Sequence, residues 1–137
     1  MNPTAAHIAA HCLLMRTRRL SRLTTRLYVD QMAHLGLSVG QFSVLTAVGC
    51  APGVRAADLV HALDLERSTL SRELAGLVNR GLVHSEPVDG RSQALALTPA
   101  GEALLADARP HWERAQAEAA EALGPIGDLL LERFSPG

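Results

Sequence analysis

The chain has 137 residues, enough for one domain with a real core, and its formal net charge is −1. Near-neutral charge excludes a polybasic nucleic-acid coat, and no apolar run approaches the roughly 20 residues that span a bilayer. Its two cysteines make no disulfide framework and its N-terminus has no apolar signal region, so a reducing cytoplasm is expected.

Hydrophobic residues make up 47% of the chain, yet only Tyr28, Phe42, Trp112 and Phe134 are aromatic. A core built from Leu, Val and Ala suits helices. All 13 basic residues are Arg, so every cation here can make a planar, forked contact. Charge is uneven: residues 1–48 carry five Arg and one Asp, residues 49–98 five Arg and six acids, and residues 99–137 three Arg and seven acids. Any binding of a polyanion must come from a few well-placed Arg.

Residues 7–34 predict one long helix. Leu13, Arg16, Leu20, Leu23 and Leu27 recur on one face, and Arg18, Arg19, Arg22 and Arg26 on another. Gly36 breaks the pattern and Ser38 is placed to cap a second helix, Val39 to Gly49, which buries Phe42, Leu45 and Val48. Ala51-Pro52-Gly53 reads as a turn. A short helix, Ala56 to Leu63, turns through Asp64-Leu65-Glu66 into a helix from Arg67 to Arg80. Leu70, Leu74, Leu77 and Val78 form its buried stripe, and Gly81 stands at its stop position. Leu82–Pro87 and Gln93–Leu97 are short extended runs joined by Asp89-Gly90-Arg91. Thr98-Pro99 opens a helix to Leu123, with a kink expected at Pro110. Gly124-Pro125 ends it, and Ile126 to Phe134 is a last short helix.

This order is that of a winged helix-turn-helix. Advancing 100° per residue from Leu70 puts Ser68, Arg72, Ala75, Gly76 and Asn79 on the outer face of the 67–80 helix, with Thr69 and Ser71 on its flanks. Small polar residues let a helix sit deep in a major groove. Arg72 can fork onto guanine, Ser68, Thr69 and Ser71 can donate to bases or phosphates, and a helix N-terminus attracts phosphate. Arg67 and Asn79 complete this set of candidate DNA contacts. Arg91 at the hairpin tip can enter a minor groove, and Asp89 is expected to hold its guanidinium by a forked contact.

These landmarks resemble the MarR family of bacterial transcription regulators. They are Gly36-Leu37-Ser38 with Gln41-Phe42, Ser68-Thr69-Leu70-Ser71-Arg72, Arg80-Gly81-Leu82-Val83, Asp89-Gly90-Arg91 and Leu97-Thr98-Pro99-Ala100-Gly101. The likeness spans about His11 to Leu123. Gly90 departs from it, since family members often carry a second charged residue in the wing. The resemblance implies a mainly α fold with a small β-wing (α+β), in one domain over residues 1–137. The winged helix-turn-helix would occupy 38–98, and dimerisation helices 7–35 and 99–134. It also implies a homodimer that binds double-stranded DNA as a repressor. The residues independently point to an interface, because the flanking helices carry more Leu, Ile and Ala than the reading part can cover. A two-fold dimer presents reading helices about 34–36 Å apart, so a near-palindrome of about 16–20 base pairs is expected.

For a releasing signal, the resemblance offers a phenolic or aromatic-acid effector bound between the dimer helices and the reading part, with Arg16, His11, Tyr28 and His34 as candidate lining. It also offers peroxide sensing at Cys12, beside Arg16, although the tyrosine pair of that subgroup is missing and Phe42 stands in a comparable place. A free Cys is otherwise a small buried hydrophobe. His7, His11, His61, His84 and His111 show no metal-ligand spacing, and no cofactor is expected. No nucleophile elbow, phosphate loop or persuasive Ser–His–Asp set suggests an enzyme. The competing expectation is a winged-helix module that binds protein without specific DNA recognition.

Overall fold

The computed structural model describes residues 1–135, so the last two residues of the expected 1–137 unit lie outside the described residues. Seven helices and three strands run in the order α1 Pro3–His11, α2 Leu13–Ala33, α3 Val39–Cys50, β1 Val54–Arg55, α4 Ala56–Ala62, α5 Arg67–Asn79, β2 Val83–Pro87, β3 Gln93–Leu97, α6 Pro99–Leu123 and α7 Pro125–Arg133.

The helix expected over 7–34 is two helices. Asn2 Oδ1 accepts from the Ala5 N–H at 3.0 Å and Pro3 occupies the first turn, so α1 begins earlier than the apolar pattern does. It ends at Cys12, whose backbone is extended (φ −75°, ψ 112°). The open carbonyls at that end are met by one side chain. Arg16 donates to Ala9 O and Ala10 O at 2.8 Å and to Cys12 O at 3.3 Å. Capping by a side chain a turn downstream leaves no mark on hydrophobic periodicity, which is why the break was not predicted.

Ser38 caps α3 in a reciprocal box. Its Oγ accepts from Gln41 N at 3.0 Å while Gln41 Oε1 accepts from Ser38 N at 3.1 Å. The core gathers Met32 and Leu37, then Val44, Leu45 and Val48 of α3, Leu59 of α4, Leu70 and Leu77 of α5, and Leu82, Val83 and Leu95 around the sheet. Along α6, Ala108, Ala115 and Ala119 are buried, and their small size lets α2 pack closely across that helix.

The buried stripe of α5 is turned toward α3 relative to expectation. Gly76, expected outside, lies against α3, where an added Cβ would meet Gln41 Nε2 at 2.6 Å. Val78, expected inside, is 40% exposed. The Ser38–Gln41 corner packs on one flank of α5, so the side chain on the opposite margin of the stripe is left in solvent.

The sheet is antiparallel in the order β1-β3-β2, with Val54 opposite Leu95 and Val83 opposite Leu97. Sequence reading found only the β2–β3 hairpin. A two-residue strand has no period of its own, and β1 exists through its pairing with β3 and the Gly53 N–H donated to Leu95 O at 2.8 Å. Gly101 sits where α6 meets the start of β2. An added Cβ there would fall 2.1 Å from Leu82 O.

Ile8, Leu13, Leu14 and Met15 of α1–α2, with Ile126, Leu129, Leu131 and Phe134 at the other end, are all more than half exposed or at half exposure in the single chain. Among the described residues no helix is long and apolar enough to cross a membrane.

Candidate nucleic-acid interface

The helix-turn-helix is closed by backbone. Leu65 N–H donates to Val60 O at 3.0 Å, and Asp64 adopts φ +50°, a left-handed conformation that Asp tolerates better than branched residues do. α5 then starts at Arg67 with no side chain capping it from Glu66. Arg67, Ser68, Ser71, Arg72 and Asn79 are all exposed, as a groove-reading face requires. Thr69 is half-buried on the flank, where its Oγ1 accepts from Arg72 Nη2 at 3.5 Å.

The wing differs from expectation in its ion pair. Asp89 does not clasp the Arg91 guanidinium. Its Oδ1 accepts from the backbone N–H of Arg91 at 3.2 Å and of Ser92 at 3.0 Å, and its Oδ2 lies 3.8 Å from Arg55 Nη1. A short carboxylate reaches the N–H groups two and three residues on more readily than it reaches a long side chain leaving the turn. Those N–H groups hold the Asp89 carboxyl below its ordinary range, and Arg55 adds to the effect. The turn is thereby ordered without spending Arg91, whose guanidinium has no carboxylate partner among the described residues.

Arg55 was missed by sequence reading. It lies on β1, 49% exposed, within 3.5 Å of Ser92 Oγ and close to Asp89, so it braces the wing from the neighbouring strand. Its only sequence signal was an Arg next to a helix start, and recognising its role required knowing that β1 pairs with β3.

A cavity of about 820 Å³ separates α5 from the long helices. Its walls include Thr24 and Tyr28 of α2, Phe42 of α3, Leu63 and Leu65 of the turn, Thr69 and Glu73 of α5, and Trp112 of α6. A smaller one, about 300 Å³, lies between α2, α6 and α7 and shares Tyr28. Of the residues expected to line an effector cleft, Tyr28 lines both cavities. Its hydroxyl donates to Gln116 Oε1 at 2.5 Å, and burial raises its pKa. Arg16 is occupied at the α1 terminus. His11 Nδ1 lies 2.8 Å from His7 O, and His34 stacks on His111 with ring centres 5.3 Å apart. Cys12 is half-buried at the α1–α2 joint, outside both cavities. Among the described residues no three His, Cys, Asp or Glu side chains group as a metal site.

Residues 35–92 match the family model described as MarR family. A transcriptional regulator HosA of Escherichia coli O111:H- is 38% identical over 100 residues, covering 72% of this chain and 63% of that protein. The match thus spans less than two thirds of the length of the curated relatives. A structure of the transcriptional repressor CouR bound to a 23-mer DNA duplex superposes with a TM-score of 0.79 at 28% identity, covering 93% of both chains. The M. tuberculosis regulator MosR in complex with DNA gives 0.77 at 29% identity, covering 90% of this chain and 93% of that one. A mutant MarR from E. coli complexed with operator DNA shares the fold, with a TM-score of 0.79 at 23% identity over 94% and 97% of the two chains.

Proposed function

The chain belongs to the MarR family, and we propose that it is a sequence-specific DNA-binding transcription regulator, not an enzyme, that represses as a homodimer in the cytoplasm. The observation that carries this reading is the joint surface of α5 and the wing. Ser68, Ser71, Arg72 and Asn79 stand exposed on one helix, and Arg91, with no carboxylate partner among the described residues, stands on a turn already ordered by Asp89. The likeness to CouR, solved on a DNA duplex, supports the same assignment.

In this reading α5 enters the major groove, with Arg72 forking onto a base edge and Arg67, Ser68, Thr69 and Ser71 available to bases or phosphates near its N-terminus. Arg91 follows the minor groove or its flanking phosphates. One copy neutralises few phosphates, since residues 49–98 carry six acids against five Arg. Useful affinity therefore comes from two copies. The exposed apolar residues of α1–α2 and α7 are the surfaces we assign to pairing. The cavity between those helices and α5 is where a small molecule would release DNA. We favour it over oxidation of Cys12, which lines neither cavity.

Selection of bound fragments from mixed genomic DNA, at two salt concentrations, tests the reading. A near-palindrome should be enriched and binding should weaken steeply with salt. Arg72→Ala should relax base preference, with a loss of about 1–3 kcal/mol in discrimination at one position per half-site. If neither Arg72→Ala nor Arg91→Ala alters DNA affinity, the assignment is wrong and the protein-binding module takes its place.

A further inference from the structure

The large cavity offers an aromatic acid no cation. A carboxylate ligand needs a cation or a set of free donors to replace its water. No Arg or His lies among the residues lining this cavity, and the single charged side chain there is the carboxylate of Glu73.

Five of the seven hydroxyls on the walls are already committed as donors. Thr17 donates to Leu13 O at 3.0 Å, Thr24 to Leu20 O at 2.9 Å, Thr25 to Ser21 O at 2.8 Å and Ser43 to Val39 O at 3.0 Å. The Tyr28 hydroxyl is spent on Gln116. A hydroxyl whose proton is engaged offers only lone pairs. The one full charge among the lining residues is therefore negative, and the donors left to a ligand are the Ser21 and Thr69 hydroxyls and the Trp112 indole N–H.

Glu73 is itself short of partners. The Ser38 hydroxyl, at 3.4 Å, is its one hydrogen-bond donor among the described residues. Gly40 keeps space beside it, since a Cβ there would stand 2.7 Å from Glu73 Oε1. Phe42, Tyr28 and Trp112, three of the chain's four aromatic residues, line the same cavity. Aromatic faces attract cations as well as rings.

We infer that this cavity binds a small aromatic amine, its ammonium held by Glu73 and its ring among Phe42, Tyr28 and Trp112. The inference rests on the proposal that the cavity is the effector site, and it replaces the aromatic-acid class with the opposite charge. Glu73 belongs to α5, whereas Tyr28 and Trp112 belong to α2 and α6. An amine spanning them would tie the reading helix to the long helices.

The test is calorimetric titration of the full chain, without DNA, using three probes of similar size: 2-phenylethylamine, 2-phenylethanol and 3-phenylpropionate. The amine should bind about tenfold tighter than the alcohol, as one charge-assisted contact implies, and the carboxylate should bind most weakly. Glu73→Gln should lower amine affinity to that of the alcohol and leave the alcohol unchanged. Trp112→Leu, on a partly exposed helix face, should weaken the amine more than the alcohol and serves if Glu73→Gln fails to fold. Stronger binding of the carboxylate, equal binding of amine and alcohol, or no binding of any probe would overturn the inference. A separate titration of the DNA complex tests the regulatory reading. An amine that binds through Glu73 yet leaves DNA affinity unchanged would refute release through this cavity while leaving the ligand class intact.

Discussion

Replacing Gly101 by Ala should be among the most damaging single-methyl additions in the chain. The new Cβ would lie 2.1 Å from Leu82 O and 3.1 Å from Leu82 C, both backbone atoms that no rotamer change can clear. The same carbonyl accepts from Thr98 N at 3.1 Å, and Thr98 Oγ1 donates to Gly81 O at 2.5 Å, so the contact is pinned on both sides. Relief requires α6 to move away from the root of β2. Overpacking of this kind costs about 3 kcal/mol, at the upper end of its usual range. For a domain of this size that corresponds to a fall in Tm of roughly 10 °C. Two other glycines separate sterics from backbone preference. Gly81 has φ +71° and open space, so Gly81→Ala should cost about 1 kcal/mol from the left-handed conformation alone. Gly90 has open space and no such φ, so Gly90→Ala should stay within about 0.5 kcal/mol of the parent. Urea unfolding followed by circular dichroism, at one fixed protein concentration, ranks the three. A Gly101→Ala protein as stable as Gly90→Ala would refute the steric argument, and one no worse than Gly81→Ala would show that α6 yields cheaply.

Arg16→Ala should leave the carbonyls of Ala9 and Ala10 without their donor. Amide exchange should accelerate through α1 while the amides of α3 and α5 keep their protection, and unchanged exchange in α1 would show that the joint holds without Arg16. The wing should lose order in acid. The folded carboxyl of Asp89 titrates below its ordinary range, so its contribution is complete above the unfolded value and is lost as pH falls through the lower folded one. Exchange at the Arg91 and Ser92 amides should rise only in that acidic window, and Asp89→Asn, which keeps an acceptor oxygen, should abolish the pH dependence. Arg91→Ala should reduce the salt slope of DNA binding by about 2 for a dimer, one phosphate per wing. An unchanged slope would remove Arg91 from the interface.

Elements with a strong local signal were legible in the sequence. Ser38 with Gln41 marked the start of α3, Thr98-Pro99 that of α6, and the alternation around Asp89-Gly90 the β2–β3 hairpin. What escaped depends on contacts distant along the chain or on side chains that replace backbone partners. β1 needs β3, the brace at Arg55 needs β1, and the α1–α2 break needs the reach of Arg16. The faces of α5 were right for Ser68, Arg72 and Asn79 but reversed for Gly76 and Val78, because the packing of α3 on one flank decides where the stripe lies. Glu73 went unnoticed as a site residue because, read alone, it is one more acid on an amphipathic helix. Its meaning comes from the absence of any positive charge on the walls around it.

The two ends of α5 are held very differently. At its C-terminus Arg80 reaches across to Gly36 O at 2.7 Å and Leu35 O at 3.3 Å, fastening the helix to the corner that follows α2. At its N-terminus no side chain caps it. The helix packs both Leu70 and Leu77 into the core, so a tilt about Arg80 carries Leu70 with it. Its 13 residues make an arm of about 20 Å, so a tilt of about 5° sweeps the free end by about 1.7 Å while the tail stays in place. Arg67, Ser68, Ser71 and Arg72 ride on the moving end and Asn79 on the still one. A small push at Glu73, midway along the arm, would thus be magnified at the residues we assign to base contacts, and felt least beside Arg80.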